Sequence, residues 1–397
     1  MTHSRSSVLA LRCSPLPIVR IGFVGLGRRG LATLRRYQYI AGVQVTALAD
    51  LSEDAISAAF KVLQEWKNDD DSVLYAAQTE EVDETMVKSY AGEDAALHLI
   101  RSDKVDVVYI CTDWTSHTPL AIEAMRAGKH VAVEVPAATT IEDCWRLVQT
   151  AEATQRHCFM TENCCYDWFA LATRSLYNKG YFGTLTHAEG GYLHDWRNYF
   201  ESSTADTYRQ GALQGGNPYP THGIAPIGQL LRDNNDKMVR LVSMTGQAMG
   251  RNHLMGHGNT TIITTEKEVT ILLQFDCTTP RPYSRLQTLC GTVAFAQKYP
   301  VPTLQKDDRI WTASAAETEL LGAPSTPALE LWREGKARGV ENPMNYAMDA
   351  RFIACLQAGL PLDIDVYDAV EWSCLAELTQ LSAKQGGMPV EIPNFRP

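Results

Sequence analysis

Two periodicities divide the chain. From residue 18 onward, short and nearly continuous apolar runs alternate with longer segments whose apolar residues return at helical spacing. The pattern predicts strands over 21–24, 43–49, 105–111, 130–133 and 158–161, and helices over 31–40, 54–66, 91–101, 120–127, 141–153 and 170–178. Strands that alternate with helices form a parallel sheet covered on both faces, and such strands read as unbroken apolar runs. VDVVYIC at 105–111 is the clearest of them. Beyond residue 183 the rhythm changes. Strands over 184–192, 238–249, 260–265, 268–275 and 286–296 follow one another, with a hairpin around Glu266-Lys267, and helices over 346–357 and 366–384 close the chain. Residues 1–17 read as an irregular leader, 68–71 as a solvated turn and 211–220 as a glycine-rich loop. The predicted fold is α/β: an N-terminal, doubly wound parallel sheet over 17–140, then an α+β domain over 141–397 with an open, largely antiparallel sheet. The last helices are expected to return and pack on the first domain.

The first strand runs into Gly25-Leu26-Gly27-Arg28-Arg29-Gly30, a G-x-G-x-x-G turn that opens a helix. The first glycine permits the tight turn, the second lets the backbone approach a pyrophosphate, and the third lets helix pack on strand. The next strand ends at Asp50, about 20 residues on, where an acid binds ribose hydroxyls in a Rossmann dinucleotide site. A carboxylate suits the free 2′-hydroxyl of NAD, and Leu51, Ser52 and Glu53 bring no cation for a 2′-phosphate. NAD is therefore the expected cofactor. Ligands in such folds sit at the carboxyl ends of the strands. That brings forward the segment after residue 111, with Trp114, Thr115, Ser116 and His117, then Glu134 and Val135, then Asn163.

Composition narrows the class. The 397 residues, 45% hydrophobic and 21% charged, describe an ordinary globular chain with room for two domains. A net charge of −10 argues against nucleic acid as a partner, and no apolar run reaches the ~18 residues of a membrane span. The N-terminal apolar patch is too short for a good secretory signal, which leaves cytoplasm and periplasm both open. Ten cysteines are scattered without a C-x-x-C pair, which argues against structural zinc. His253 and His257 have no carboxylate spacing that suggests a metal, so none is expected.

With these pieces placed, the chain resembles the Gfo/Idh/MocA family of NAD(P)-dependent proteins. The resemblance rests on the fingerprint, on VDVVYICT…SHTPLAIEAMRAGKHVAVEVP, and on the change to an antiparallel second domain. Two departures stand out. Ordinary dehydrogenases of that family carry Glu-Lys-Pro where this chain has Glu134-Val135-Pro136, so the lysine that assists proton transfer at the reacting hydroxyl is missing. The family's substrate helix usually opens with an Asp three residues before a His, and here Tyr219 precedes His222. Both departures, with YPTHG, TPRPYSR, ENCCYD, GGYLHD and the GLPLDIDVYDAVEWS run, resemble the NAD-dependent glycosidases of glycoside hydrolase family 109, the α-N-acetylgalactosaminidases.

That resemblance implies NAD contacts from Gly25, Gly27, Arg28, Arg29, Gly30, Asp50, Trp114, Thr115, Ser116, His117, Glu134, Val135 and Asn163. It implies sugar contacts from Tyr192, Arg209, Tyr219, Pro220, Thr221, His222 and Tyr283. It also implies a redox-neutral route for a terminal N-acetylhexosaminide: C3 is oxidised by tightly bound NAD, the acidified C2 proton leaves, the C1 substituent is eliminated, water adds and C3 is reduced again. His222 titrates near neutrality and a phenol such as Tyr219 can act as acid or base, so these two are the expected catalytic groups. Two other readings compete: a sugar dehydrogenase that releases NADH, against which Val135 counts, and a non-enzymatic NAD-binding sensor. A homodimer is expected, because an open antiparallel sheet leaves one apolar face needing cover.

Overall fold

The computed structural model describes residues 7–66, 87–198, 215–249 and 256–397. The 68–71 turn, Arg209, His253 and residues 211–214 of the 211–220 loop lie outside them. Six parallel strands form the first sheet: β1 (Val19–Val24), β2 (Val43–Asp50), β3 (Lys88–Ala91), β4 (Val107–Ile110), β5 (His130–Val133) and β6 (Cys158–Met160). Their order, β3-β2-β1-β4-β5-β6, reverses between β1 and β4 and so opens a crevice at their carboxyl ends. Helices α1 (Arg28–Tyr37), α2 (Glu53–Glu65), α3 (Ala95–Ile100), α4 (Trp114–Arg126) and α5 (Ile141–Thr154) cover it.

Two elements here differ from the sequence pattern. Helix α4 begins at Trp114, six residues earlier than the pattern predicts, because the Asp113 side chain caps it by accepting from Thr115 N–H and the helix accommodates Pro119. Helix α3 begins at Ala95, four residues later than the pattern predicts, and Ala91 ends strand β3. It is a short, mostly exposed edge strand of polar sequence, so it leaves no apolar run to read.

After α6 (Trp168–Tyr177) the second sheet begins with β7 (Leu185–Leu193). Helix α7 (Thr221–Asp233) packs on one face of it. Strands β8 (Met238–Met249), β9 (Gly256–Thr265), β10 (Thr270–Asp276), β11 (Ser284–Gly291), β12 (Ala294–Gln297), β13 (Thr303–Lys306), β14 (Arg309–Thr312) and β15 (Val390–Glu391) complete the nine-stranded order β14-β13-β12-β11-β7-β10-β9-β8-β15. Every pairing is antiparallel except β10 with β7. The predicted 286–296 strand is two strands, β11 and β12, paired as a hairpin across residues 292 and 293. Helices α8 (Ala313–Leu321) and α9 (Pro327–Ala337) precede α10 (Pro343–Ala358), α11 (Val366–Ser373) and α12 (Leu375–Lys384). The predicted 366–384 helix breaks at Cys374, and α11 starts in a capping box between Asp365 and Asp368.

Helix α10 ties the C-terminal half to the first sheet. Asp349 is fully buried and accepts from Arg36 Nη2 at 2.7 Å, Arg36 Nε at 3.0 Å and Tyr109 O–H at 3.1 Å. Phe352 stacks on Phe159 of β6 at 4.7 Å. The leader is irregular yet packed: Val8 is buried with its N–H on Tyr367 Oη, and Leu16 N–H donates to Leu356 carbonyl.

An acidic cluster sits on α11 and its N-cap, with Asp368 buried and Asp365 and Glu371 partly buried. Asp365, Asp368 and Glu371 face Arg396, and Arg232 pairs with Asp368. Burial, with Asp368 and Asp365 nearby and Arg396 opposing, lifts Glu371 from 4.5 to about 7. The folded protein then holds a proton there that the unfolded chain has lost, so this group's contribution to stability falls as pH rises through that window. Glu371→Gln cannot titrate. Its melting temperature, measured by calorimetry, should gain on the parent's as pH goes from about 5 to about 8; a constant difference would refute the assignment.

Candidate functional site: a cofactor groove that opens into a sugar-sized cavity

The groove starts at the fingerprint. Gly25 has φ +87°, and a Cβ there would stand 2.7 Å from the Cys111 backbone. At Gly30 a Cβ would fall 2.0 Å from the Gly25 carbonyl oxygen, so this glycine is required by helix–strand packing. Gly27 is different: a Cβ there meets nothing within 4 Å. Its glycine is not explained by any protein neighbour, and it fronts the space where a pyrophosphate would approach the α1 N-terminus. The chain therefore fits a dinucleotide by its own geometry.

One cavity of this groove lies between Gly25, Gly27, Asp50, Gly92 and Ser116. Asp50 is held by two backbone donors, Leu26 N–H at 2.6 Å and Ser52 N–H at 2.9 Å, which aim its carboxylate at the rim. Asp113 and Glu93 also line this cavity, and no lysine or arginine does among the described residues.

A second cavity, of about 310 Å³, adjoins the first at Cys111 and Thr112. Its floor is the strand ends: Glu134, Val135 and Asn163. Glu134 is buried and paired with Arg29 at 2.8 Å. Asn163 donates to Asn345 Oδ1 of α10 at 2.6 Å. His117 is buried between the carbonyls of Pro136 (2.8 Å) and Thr112 (3.1 Å), and burial lowers its pKa. It thus binds two strand-end loops together while lining the cavity.

The opposite wall is aromatic and comes from the second domain. Tyr219 stacks on Trp114, with centroids 5.8 Å apart and planes at 11°. Tyr192 lies 5.0 Å from Tyr219 and 5.4 Å from His222, ring to ring. Its hydroxyl meets His194 Nδ1 at 3.1 Å and accepts from Trp196 Nε1 at 3.3 Å. His222 stands in the first turn of α7, with Nε2 3.2 Å from Tyr219 Oη. Its Nδ1 faces both oxygens of Glu162, at 2.8 and 2.9 Å. Burial opposes charge on the imidazole, but Cys164 and Glu162 outweigh it and lift His222 to about 10, so the near-neutral titration expected from the sequence gives way to a ring held protonated by the buried carboxylate. Burial likewise opposes the Glu162 carboxylate, which His222 nonetheless holds below its ordinary value.

Most of the predicted residues thus converge on one groove. Gly25, Gly27, Asp50 and Ser116 border its first cavity; Arg28, Arg29, Trp114, His117, Glu134, Val135, Asn163, Tyr192, Tyr219 and His222 line the second. Thr115 is exposed and turned to Asp113. Pro220 and Thr221 are buried at the start of α7, where they set the path of Tyr219 and His222 without lining the cavity. Tyr283 sits at the rim, 43% exposed, edge-on to His194 at 5.0 Å and Tyr192 at 6.4 Å. Sequence reasoning gave no role to Glu162 or Trp196. Glu162 was within reach, since it follows a parallel strand just as Glu134 does. Trp196 carried no pattern.

Two family models match successive parts of the chain. Residues 19–162 match the oxidoreductase family with an NAD-binding Rossmann fold, Gfo/Idh/MocA, and residues 166–397 match the C-terminal domain of glycosyl hydrolase 109. The chain is 44% identical to glycosyl hydrolase family 109 protein 2 of Phocaeicola vulgatus, over 98% of both chains. It is 43% identical to an α-N-acetylgalactosaminidase of Bacteroides fragilis, over 99% of this chain and 96% of that one. Among solved structures, an NAD-binding oxidoreductase from Klebsiella pneumoniae superposes with a TM-score of 0.71 at 14% identity, covering 95% and 99% of the two chains. Levoglucosan dehydrogenase in complex with NADH and levoglucosan gives 0.70 at 15%, with the same coverage. At such identities these structures establish the fold alone. The full-length relatives and the matched C-terminal domain establish more: the chain belongs to glycoside hydrolase family 109, a glycosidase built on a Gfo/Idh/MocA-type NAD-binding Rossmann domain.

Proposed function

We propose that the protein hydrolyses terminal α-N-acetylgalactosaminides by transient oxidation at C3, with NAD retained through each turnover. One observation carries this reading: the dinucleotide groove opens directly into a cavity with proton-transfer groups and, among the described residues, no free pair of carboxylates. Direct glycoside hydrolysis needs two such groups astride the bond, about 5–9.5 Å apart. Of the carboxylates at this cavity, Glu134 is tied to Arg29, and Glu162 is fully buried behind His222. No lysine lines it among the described residues, which disfavours the ordinary dehydrogenase reading. The purely acidic rim around Asp50 favours NAD over NADP. The sugar itself is inferred from the name of the Bacteroides fragilis relative.

When bound, NAD supplies a two-electron acceptor at C3 and returns the pair in the same turnover. The chain supplies the rest. Tyr219 and His222, hydrogen-bonded to one another, are placed to move protons at O3 and C2. Glu162 fixes the imidazole through Nδ1, so that Nε2 faces the cavity side. Trp114 and Tyr192 offer ring faces to the sugar, and their packing on Tyr219 holds the phenol in place. Self-association belongs to the same reading. Val242, Ile262 and Leu272 stand in cross-strand register on β8, β9 and β10, and Ile262 is 43% exposed. A second copy would cover this row.

Five outcomes test these statements. Aryl α-N-acetylgalactosaminide should release its phenol with no net rise in NADH absorbance; stoichiometric NADH would instead mark a dehydrogenase. Turnover in D2O should place deuterium at C2 of the released sugar, and a 3-O-methyl substrate should be inert, whereas displacement by carboxylates touches neither position. His222→Ala and Tyr219→Phe should each slow phenol release by ~10²–10⁴-fold with NAD still bound. The purified protein should carry NAD, and Asp50→Ala should weaken its retention by ~1.5–3 kcal/mol; full activity after exhaustive removal of NAD would end the proposal. Light scattering should give at least a dimer, and a monomer would remove the role given to the β8–β10 face.

A further inference from the structure

The contact between Glu162 and His222 has a third member. Cys164, in the short helical turn Asn163–Tyr166, is 1% exposed. One donor atom from each of Glu162, Cys164 and His222 lies within 4.8 Å of the other two. The orienting of His222 requires only the carboxylate. Holding the ring plane does not call for a thiol, yet Cys164 interacts with the His222 ring and lies 3.5 Å from Asn163 Oδ1.

Carboxylate oxygen, thiolate sulfur and imidazole nitrogen are the donors that zinc-class ions prefer, and three protein ligands with an open fourth position describe a reactive rather than a structural zinc site. Sulfur among the donors disfavours magnesium and calcium, which take oxygen. Access exists from one side only. Glu162 is closed off, while the His222 side chain, 14% exposed, lines the cavity.

We infer that Glu162, Cys164 and His222 form a binding site for a thiophilic divalent cation of the zinc class, and that occupancy blocks the enzyme. The ion would take the place of the proton on His222 Nδ1 and of the thiol proton on Cys164. Both protons would leave to solvent, and a water from the cavity would complete the tetrahedron. With Nδ1 committed to a cation instead of to Glu162, His222 could no longer exchange protons with Tyr219. The inhibition rests on the role given to His222 above; the binding does not.

Cadmium is a suitable probe, because a cadmium–thiolate bond absorbs in the near ultraviolet and reports binding without turnover. NAD-loaded protein, first stripped with chelator, should develop this band saturably at one equivalent of Cd2+. Zn2+ should compete it away, and phenol release should fall in step and return on adding EDTA. Cys164→Ser should abolish the band and raise the inhibiting Zn2+ concentration by at least about tenfold. Cys111→Ser, which changes the thiol that lines the cavity itself, should keep the band. Should Cys164→Ser prove unstable in its thermal transition, Glu162→Gln serves in its place, with the band retained but its half-saturation raised. A band that survives in Cys164→Ser, or no saturable band in the parent protein, overturns the site. A band that appears as predicted while hydrolysis continues unaffected keeps the site and rejects the inhibition.

Discussion

The hydrogen bond between Glu162 and His222 is the contact through which the two halves of the site become one. Glu162 leaves the carboxyl end of β6 in the Rossmann sheet, and His222 opens α7 on the second sheet. A buried carboxylate is costly unless paired. Glu162 is fully buried, and the cross-domain imidazole meets that need together with Cys164 N–H at 3.0 Å. The same contact fixes the ring plane of His222 and so decides that Nε2 faces Tyr219. Loss of the domain seam would therefore strand a buried charge and also release the imidazole. Stability and chemistry are coupled at this point.

Further buried polar contacts hold the cofactor side against the C-terminal helices. Asp349 of α10 gathers Arg36 and Tyr109, and Asn345, one turn earlier, accepts from Asn163. Helix α10 lies behind the strand ends, so the groove floor is backed by residues some 180 positions away in sequence. A binding floor built in this way cannot shift with the loops above it, because each donor is already committed to a partner on a different element. That rigidity suits a site in which one bound group must be addressed twice in a single turnover.

The first domain was legible because its signals are local. The fingerprint glycines, Asp50 and the apolar runs each follow from steric or burial rules within a few residues. Strand β3 escaped because an exposed edge strand has no apolar face to announce it. In the second domain the hairpin between β9 and β10 was readable, whereas the turn at Thr292-Val293 that splits 286–296 has no proline or charge to mark it. The site behaved likewise. Tyr219 and His222, three apart at a helix start, could be found together. Glu162 could not be joined to His222, because 60 residues separate them and only the tertiary fold pairs a strand end with a helix start.

The replacement at Val135 can be understood from the same geometry. In a dehydrogenase the product ketone leaves, so a lysine beside the hydroxyl that lowers the barrier to oxidation serves the whole reaction. In a redox-neutral hydrolysis the ketone must persist only long enough to acidify its neighbour and must then be reduced. An ammonium at position 135 would sit beside Glu134 and Arg29, whose ion pair already balances charge at the buried strand end. A third charge there would have no partner among the described lining residues. Valine leaves this position uncharged, and the proposed proton handling lies on the opposite wall, where His222 and Tyr219 are hydrogen-bonded to one another and Glu162, from the end of β6, backs His222. On the proposed route the reacting hydroxyl would be served by His222 and Tyr219 of the second domain, with the Rossmann sheet holding the cofactor.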